Sequence, residues 1–527
     1  MNEFNIILFL CNWGPHVAFQ TLQDRREKIP SEIKMVRIPC TGRISKALLV
    51  KAFEKGADGV ALVGCRTGAC RYGSGTLTAQ ENTDDARRIL KIMGVGEQRL
   101  RLATFLPDDA EGLFEFLKTF SQEIRTLGKS PVEVSEKSAT KAIDVQQVAR
   151  AVSKYDIFSC QDCGKCSSAC PLSLTGKSFT PRAVASAMIA GDIDSPMVIE
   201  GIWSCLTCGR CYERCPRAVN FPEFVREVRE IYQDAGIKAH EPHGGFFQSM
   251  MRVQGSASLN MDRWSWLPES VHLNMKSKIL FFGGCAPYFD IFFRKFLGTQ
   301  TLNILLDSLR LLNFFDVQPA VLSNERCCGH DLLWTGDEKG FRKLAVLNAE
   351  AIHASGAEQV VTACPECYRT LAVDYPRHGI ETKFKVIHLY DFLNREIEKG
   401  AVGFKPIDAH LTFQDPCRLL QEEELKLLPR KLIGHLKPRS FREISESETG
   451  PICCGGCAWN GCDAYVKAMQ VNRLKQARVS GRDMLVTACP KCQIHLKCAM
   501  EDPFLGQALS MDVKDLTSLI AQSIYWA

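Results

Sequence analysis

Two cysteine quartets in the middle of the chain constrain it more than any other feature. They read C-x2-C-x2-C-x3-C-P twice, as Cys160, Cys163, Cys166 and Cys170-Pro171, then as Cys205, Cys208, Cys211 and Cys215-Pro216. Three thiolates spaced by two residues wrap one face of an iron–sulfur cube, and the fourth, ahead of a proline that turns the chain, ligates the other cube. The spacing predicts two 4Fe-4S clusters, one on Cys160, Cys163, Cys166 and Cys215, the other on Cys205, Cys208, Cys211 and Cys170. A pair of structural zinc sites is the alternative, but zinc normally joins two distant C-x2-C pairs rather than two close quartets.

The 527 residues allow about three or four domains. An odd total of 25 cysteines, many in close pairs, suits metal ligation better than a disulfide framework and points to a reducing compartment. A cytoplasmic location is expected. The start, MNEFNIILFLCNWG, has no basic leader and no small-residue cleavage site, so a secretory signal is not expected. The apolar stretch from Ile279 to Phe293 is interrupted by Asp290 and two glycines and is too short to span a bilayer. A net charge of +5, with basic residues dispersed among nearly as many acids, excludes a basic stripe for nucleic acid or a membrane surface.

Residues 1 to 128 alternate strand-like and helix-like patterns. Strands are expected over Asn5 to Leu10, Lys34 to Ile38, Gly59 to Val63 and Arg101 to Phe105, and helices over Ser45 to Lys55, Asp84 to Met93 and Ala110 to Thr126. Such alternation predicts a parallel, flavodoxin-like sheet. Cys11 follows the first strand, Cys40 the second, and Cys65 and Cys70 the third. All four fall at carboxyl ends of strands, the edge where open α/β sheets place their sites, and they are candidate metal ligands for one 2Fe-2S cluster.

The segments CNWG, RIPCTGRI and KGADGVALVGCRTGACRYGSG resemble the delta-subunit family of methyl-viologen-reducing hydrogenase. The resemblance implies one 2Fe-2S cluster and electron transfer to a flavin subunit. Family members often carry a second cysteine three residues after the first, where this chain has Gly14. Arg43, Arg66 and Arg71 flank the cysteines, either as solvated residues or as charges tuning an anionic cluster.

Residues 129 to 142 read as a polar linker. The block 143 to 250 holds the twin quartets among helical patterns: Ile143 to Ser153, a proline-started helix after Thr180-Pro181, and Pro222 to Ala235. It is similar to the small electron-carrying subunit of heterodisulfide reductase, which implies a helical ferredoxin-type domain with two clusters. Residues 251 to 277 read as a connector, with Trp264 and Trp266 packing it down.

The remainder is a duplication. One half, 278 to 400, has Cys285, Cys327-Cys328-Gly329 and Cys364-Pro365-Glu366-Cys367; the other, 401 to 527, has Cys417, Cys453-Cys454-Gly455 and Cys489-Pro490-Lys491-Cys492. Ser-Gly and Val-Thr-Ala precede each C-P-x-C in the same register. Helix-like runs before each C-P-x-C strand predict two related α/β lobes. Five soft ligands per lobe exceed the four of a closed zinc tetrahedron and favour an iron–sulfur assembly.

These halves resemble the paired CCG domains of the disulfide-reducing subunit of heterodisulfide reductase. That resemblance implies a noncubane 4Fe-4S cluster in each lobe and a disulfide substrate between them, with Cys327, Cys328, Cys453 and Cys454 at the catalytic positions. Paired CCG domains also occur in glycolate, lactate and glycerol-3-phosphate oxidation systems, where they receive electrons from a flavin enzyme. Of the remaining cysteines, Cys457 extends the second motif to C-C-G-G-C and reads as a small buried residue or an alternative ligand, and Cys462 and Cys498 have no assigned role. His330 and His388 are candidate proton donors, and Arg326 and Arg418 candidate attractors of an anion.

No G-x-G-x-x-G opens a helix after a strand, so no Rossmann flavin or nicotinamide site is expected. The resemblances imply a multidomain redox chain with a separate partner, a flavin- and iron–sulfur-containing protein like the flavin subunit of heterodisulfide reductase, fed by a hydrogenase, a formate dehydrogenase or another donor. Two functions compete within that frame. One is a disulfide-reducing subunit of a flavin-based complex, bifurcating or not. The other is a non-catalytic carrier serving chemistry on an acyl-CoA, a folate, a hydroxy acid or hydrogen. A zinc-stabilised scaffold is the third reading.

Overall fold

The computed structural model describes residues 4–134, 141–400, 402–444, 452–479, 481 and 483–526. Part of the expected linker, 135–140, lies outside these residues. The chain is mixed α/β with parallel sheets and many helices, and it divides into two compact units: 1–137 with 243–265, and 138–242 with 266–527.

In the first unit, β1 (Ile6–Cys11), β2 (Ile33–Ile38), β3 (Gly59–Gly64) and β4 (Leu100–Thr104) form an all-parallel sheet in the order β2-β1-β3-β4. The central strands IILFLC and GVALVG are nearly continuous apolar runs buried on both faces, as parallel strands between helices must be. On one face, Leu113, Leu117, Phe120 and Ile124 of the helix Ala110–Leu127 pack on Ile6, Leu8, Leu10, Ala61 and Val63. That helix starts at Asp109, whose carboxylate accepts the Gly112 N–H at 3.1 Å, a side-chain cap on a free helix end.

Two helices depart from the sequence expectation. Gly14–Asp24 forms directly after β1, where the sequence reading names no helix; Pro15 at its first turn needs no N–H partner there, and Ala18, Phe19 and Leu22 face the core. The expected helix Asp84 to Met93 begins instead at Gly75, because the polar stretch Thr76 to Thr83 places only Thr76, Ala79 and Thr83 inward, too few for an apolar stripe. The sequence divides residues 243–265 between the helical domain and the connector. They group instead with the first unit, where their helix Phe246–Gln254 packs on the helix Lys46–Glu54.

The second unit opens with short helices that carry the quartets: Val145–Lys154, Lys165–Ala169, Pro181–Ile189, Pro196–Ser204, Arg210–Glu213 and Phe221–Asp234. The predicted proline-started helix is capped by Thr180, whose hydroxyl accepts the Ala183 N–H. Each quartet turns through a left-handed glycine, Gly164 and Gly209, between its second and third cysteines.

The duplication holds in three dimensions. The first lobe pairs β5 (Ile279–Phe281), β6 (Gln359–Thr362) and β7 (Lys385–His388) in parallel, with Ala320 bridging β5 on its far side. The second pairs β8 (His410–Gln414), β9 (Ser440–Phe441), β10 (Met484–Thr487) and β11 (Asp512–Asp515) in the order β11-β10-β8-β9. Position for position the sheets match: β5 and β8 lead to the first cysteine, β6 and β10 to the C-P-x-C pair, and β7 and β11 to the closing edge.

Candidate metal centres

Strand ends of the first unit bring its four cysteines together in two pairs. Cys11 Sγ lies 3.7 Å from Cys65 Sγ, and Cys40 Sγ lies 3.8 Å from Cys70 Sγ. A tetrahedral metal with thiolate bonds of about 2.3 Å sets two of its sulfurs about 3.8 Å apart. The site therefore suits two tetrahedral metals with two thiolates each. Gly75 closes the pocket: a Cβ there would overlap Cys40 Sγ and come within 2.8 Å of Cys70 Sγ. Gly14 also faces the site, since a Cβ at that position would lie 3.7 Å from Cys65 Sγ. Burial pushes the Cys11 thiol up to about 11, so at neutral pH it would ligate as thiolate only against a compensating cation. Of the flanking arginines, Arg71 stacks 3.9 Å over the Trp13 ring, while Arg43 and Arg66 are exposed.

The quartets cross over. Cys170, Cys205, Cys208 and Cys211 line one cavity; Cys160, Cys163, Cys166 and Cys215 line a second, with Cys211 at its edge. Burial drives the Cys208 and Cys211 thiols well above the usual thiol range. Backbone donors already point at sulfur: Thr207 N–H to Cys205 Sγ and Val219 N–H to Cys215 Sγ, both at 3.4 Å. Four converging soft donors with amide hydrogen bonds to sulfur fit an iron–sulfur centre in each cavity.

Each lobe gathers five cysteines. Cys285, Cys327, Cys328, Cys364 and Cys367 line one cavity, with Cys285 Sγ 2.9 Å from Cys327 Sγ. Cys417, Cys453, Cys454, Cys489 and Cys492 line the other. The glycine after each Cys-Cys pair sits at φ +88°, left-handed backbone that glycine adopts freely. Its lack of a side chain lets Phe341 pack against Gly329 and Val466 against Gly455, where a Cβ would approach to 2.8 and 2.7 Å. The same turn donates Gly329 N–H to Cys327 Sγ at 3.5 Å and Gly455 N–H to Cys453 Sγ at 3.4 Å. Hydrogen bonding to Cys285 and burial raise the Cys327 thiol, whereas hydrogen bonds from Cys453 and Cys492 bring Cys454 down to about 6. Five converging thiols, buried or half-buried, fit a multi-iron assembly and exceed a single tetrahedral metal.

A buried polar network joins the lobes. Lys491 of the second C-P-x-C pairs with Glu366 of the first at 2.7 Å and with Asp331. His330 contacts Asp331 at 3.0 Å through Nδ1, and Arg418 donates Nε–H to His330 Nε2 at 3.0 Å. An acceptor at Nε2 places the hydrogen on Nδ1, so the imidazole is neutral and donates to Asp331. His330, Asp331 and Glu366 are close enough to chelate a cation, and the Lys491 ammonium occupies that role. Arg418 also donates to Thr207 O at 2.9 Å and Thr207 Oγ1 at 3.1 Å, and stacks 3.9 Å over Trp334. Thr207 lies between Cys205 and Cys208, so this arginine touches the dicluster domain and both lobes.

Several expected roles change in this setting. Arg418 is 1% exposed and fully engaged, which removes it as a surface attractor of anions. His388 accepts the Tyr390 N–H at 3.2 Å and caps the helix Leu389–Lys399; burial lowers it to about 3, and it does not line the first-lobe cavity, so it is not placed to donate a proton there. Arg326 is buried beside Cys327, with its backbone N–H on Asn348. Cys457 is buried, but it lines the second-lobe cavity and bonds Thr207 Oγ1 at 3.0 Å and Arg418 at 3.4 Å, which is more than inert packing. Cys462 is exposed, and Cys498 accepts from Lys467 at 3.5 Å. Sequence reading missed Thr207, Asp331, Glu366 and Lys491. The signal for the last two was present: opposite charges at the same place in two copies of one motif.

Parallel α/β lobes with thiol-lined cavities, joined to a helical dicluster domain, define an iron–sulfur electron-transfer protein. Residues 6–128 match the family described as methyl-viologen-reducing hydrogenase, delta subunit; 156–219 match a 4Fe-4S dicluster domain; 279–372 and 411–497 match a cysteine-rich domain. Over 273 residues the chain is 32% identical to the D subunit of dihydromethanophenazine:CoB–CoM heterodisulfide reductase from Methanosarcina barkeri, covering 50% of this chain and 63% of that one. It is 25% identical over 368 residues to the B subunit of fumarate reductase (CoM/CoB) from Methanothermobacter marburgensis, covering 69% of this chain and 61% of the relative. It is 32% identical over 126 residues to the iron-sulfur D subunit of F420-non-reducing hydrogenase from Archaeoglobus profundus, covering 24% of this chain and 92% of the relative. Through its first 128 residues the chain belongs to the methyl-viologen-reducing hydrogenase delta-subunit family, extended here by a 4Fe-4S dicluster domain and two cysteine-rich domains. It spans 63% of the length of the heterodisulfide reductase subunits it matches. Among the described residues no helix is long and apolar enough to cross a membrane.

Proposed function

We propose that this chain is the electron-carrying and disulfide-reducing subunit of a cytoplasmic, heterodisulfide-reductase-like complex that works with a separate flavin- and iron–sulfur-containing subunit. On this reading Cys11, Cys40, Cys65 and Cys70 hold a 2Fe-2S cluster at the edge of a flavodoxin-like sheet. The crossed quartets hold two cubes, and each lobe holds a noncubane 4Fe-4S cluster. The clusters, when bound, supply one-electron transfer and, in the lobes, iron to which a substrate sulfur can be drawn. A disulfide then takes up two electrons and two protons and leaves as two thiols, with Cys327, Cys328, Cys453 and Cys454 nearest the chemistry.

The contact of the dicluster domain with the second lobe carries this reading. Thr207 reaches Cys457 and Arg418, and Gln421 donates to Cys208 O at 3.2 Å. The second quartet is thereby tied by direct hydrogen bonds to residues lining the second-lobe cavity, with no solvent layer at those bonds. Arg418 and Gln421 fix the spacing on which electron passage depends. The test is anaerobic: the dithionite-reduced chain is mixed with a disulfide, and two thiols per disulfide are expected as the reduced signals disappear. Reduced centres that ignore every disulfide but exchange electrons with a co-purified flavoprotein would replace this reading with a second one, a pure relay. Burial of the whole Lys491, Glu366 and Asp331 cluster between the lobes favours that alternative.

A further inference from the structure

The two lobes repeat each other, yet the positions inside their motifs at which they differ are the ones that meet. One residue after the first cysteine stands Ala286 in one lobe and Arg418 in the other. After Cys-Cys-Gly come His330 and Asp331 against Gly456 and Cys457, and within C-P-x-C comes Glu366 against Lys491. The first lobe thus contributes acceptors and anions to the shared network, and the second contributes both cations and a thiol.

From this divergence we infer that Asp331 and Arg418 make the two lobes electrochemically unequal, so that the centre held by the second lobe is the easier to reduce. Glu366 and Lys491 line both cavities, and their opposite charges offset each other in each. Asp331 lines only the first, so the side chains lining that cavity sum to one negative charge; Arg418 lines only the second, whose lining sums to one positive charge. His330 adds none, because its Nε2 accepts from Arg418. Each of these groups is almost wholly buried, so their fields are screened far less than those of surface charges. An added electron is stabilised by a nearby cation and opposed by a nearby anion. Arg418 also holds Thr207 of the second quartet, so the lobe that attracts an electron is the lobe that touches the dicluster domain. Electrons from the second quartet are therefore drawn first to the centre held by the second lobe, and the first lobe is filled after it.

The inference rests on the proposed iron–sulfur occupancy of the lobes, and one experiment separates the two. The anaerobically purified chain is titrated with reductant while each centre is followed by electron paramagnetic resonance. Cys367→Ser and Cys492→Ser identify the first-lobe and second-lobe signals. In the wild-type chain the second-lobe signal should be reduced at the higher potential. Asp331→Asn should raise the first-lobe potential with a smaller effect on the other; Arg418→Gln should lower the second-lobe potential, and Arg418→Lys should largely restore it, which a merely structural loss would not allow. Equal or reversed wild-type potentials at full iron content, or an Asp331→Asn shift larger in the second lobe, overturn the inference alone. Absence of both lobe signals, with iron reduced to the complement of the other domains, overturns the occupancy and the inference with it.

Discussion

Glu366 and Lys491 occupy the same place in two copies of one motif and form a buried ion pair at 2.7 Å across the repeat, with Asp331 as the second anion on the ammonium. Removing the cation leaves two buried carboxylates facing each other. Lys491→Met should therefore destabilise the second unit by about 3–5 kcal/mol, the usual consequence of breaking a buried pair on one side. Anaerobic denaturant titration measures it, and a loss below about 1 kcal/mol would show that water reaches the site.

On the disulfide-reducing reading, Cys328 is the position at which catalysis and transport can be told apart. Its thiol is hydrogen-bonded with those of Cys327 and Cys367 inside the first-lobe cavity, whose lining includes no quartet cysteine. Cys328→Ser should abolish disulfide reduction while the two cube signals persist. Unchanged turnover would move the chemistry away from this lobe.

Gly75 is a steric test of the first-unit centre. Alanine at an ordinary helix position is favoured over glycine by about 1 kcal/mol, yet here its Cβ meets Cys40 and Cys70. Gly75→Ala should leave the fold intact and lower iron from about 18 to about 16 atoms per chain, the complement of one two-iron and four four-iron centres less the former. Full iron in the variant would place the cluster elsewhere.

A carboxyl pair gives the second unit a pH dependence. Burial, and then the hydrogen bond to Glu338, raise Glu230 to about 8. A folded pKa above the unfolded one means that the folded chain holds a proton the unfolded chain releases, so stability falls as pH rises from about 4.5 to about 8. Glu338 is shifted the other way, chiefly by its hydrogen bond to His378, and its contribution is lost only below that window. Glu230→Gln keeps a donor without a titrating proton. Its melting temperature relative to wild type should grow through this range and level off above it; a constant difference would exclude the pair.

What the sequence disclosed follows from where the information sits. The quartets, the strand-end cysteines and the duplicated motifs are local patterns; the quartet and lobe cysteines line shared cavities, and the strand-end cysteines meet in two sulfur pairs. The helix at Gly14 gives a weak signal because its inward stripe, Pro15, Ala18, Phe19 and Leu22, has helical spacing but carries large apolar side chains only at Phe19 and Leu22, and Gly75–Ile92 starts early because threonines fill inward positions usually held by aliphatic residues. Thr207 and Asp331 gained their roles from tertiary neighbours far along the chain, which no local pattern carries.

Arg229 has a consequence of its own. It is completely buried with no carboxylate partner among the described residues, and donates to Ile202 O and Trp203 O in the dicluster domain and, at 2.7 Å, to Trp334 O in the first lobe. Its charge is solvated by carbonyl dipoles from both sides of a domain boundary. The dicluster domain is therefore not a portable cassette: excised, it would bare a cation fitted to another domain's backbone, and a transplant would have to bring Trp334 and its helix with it.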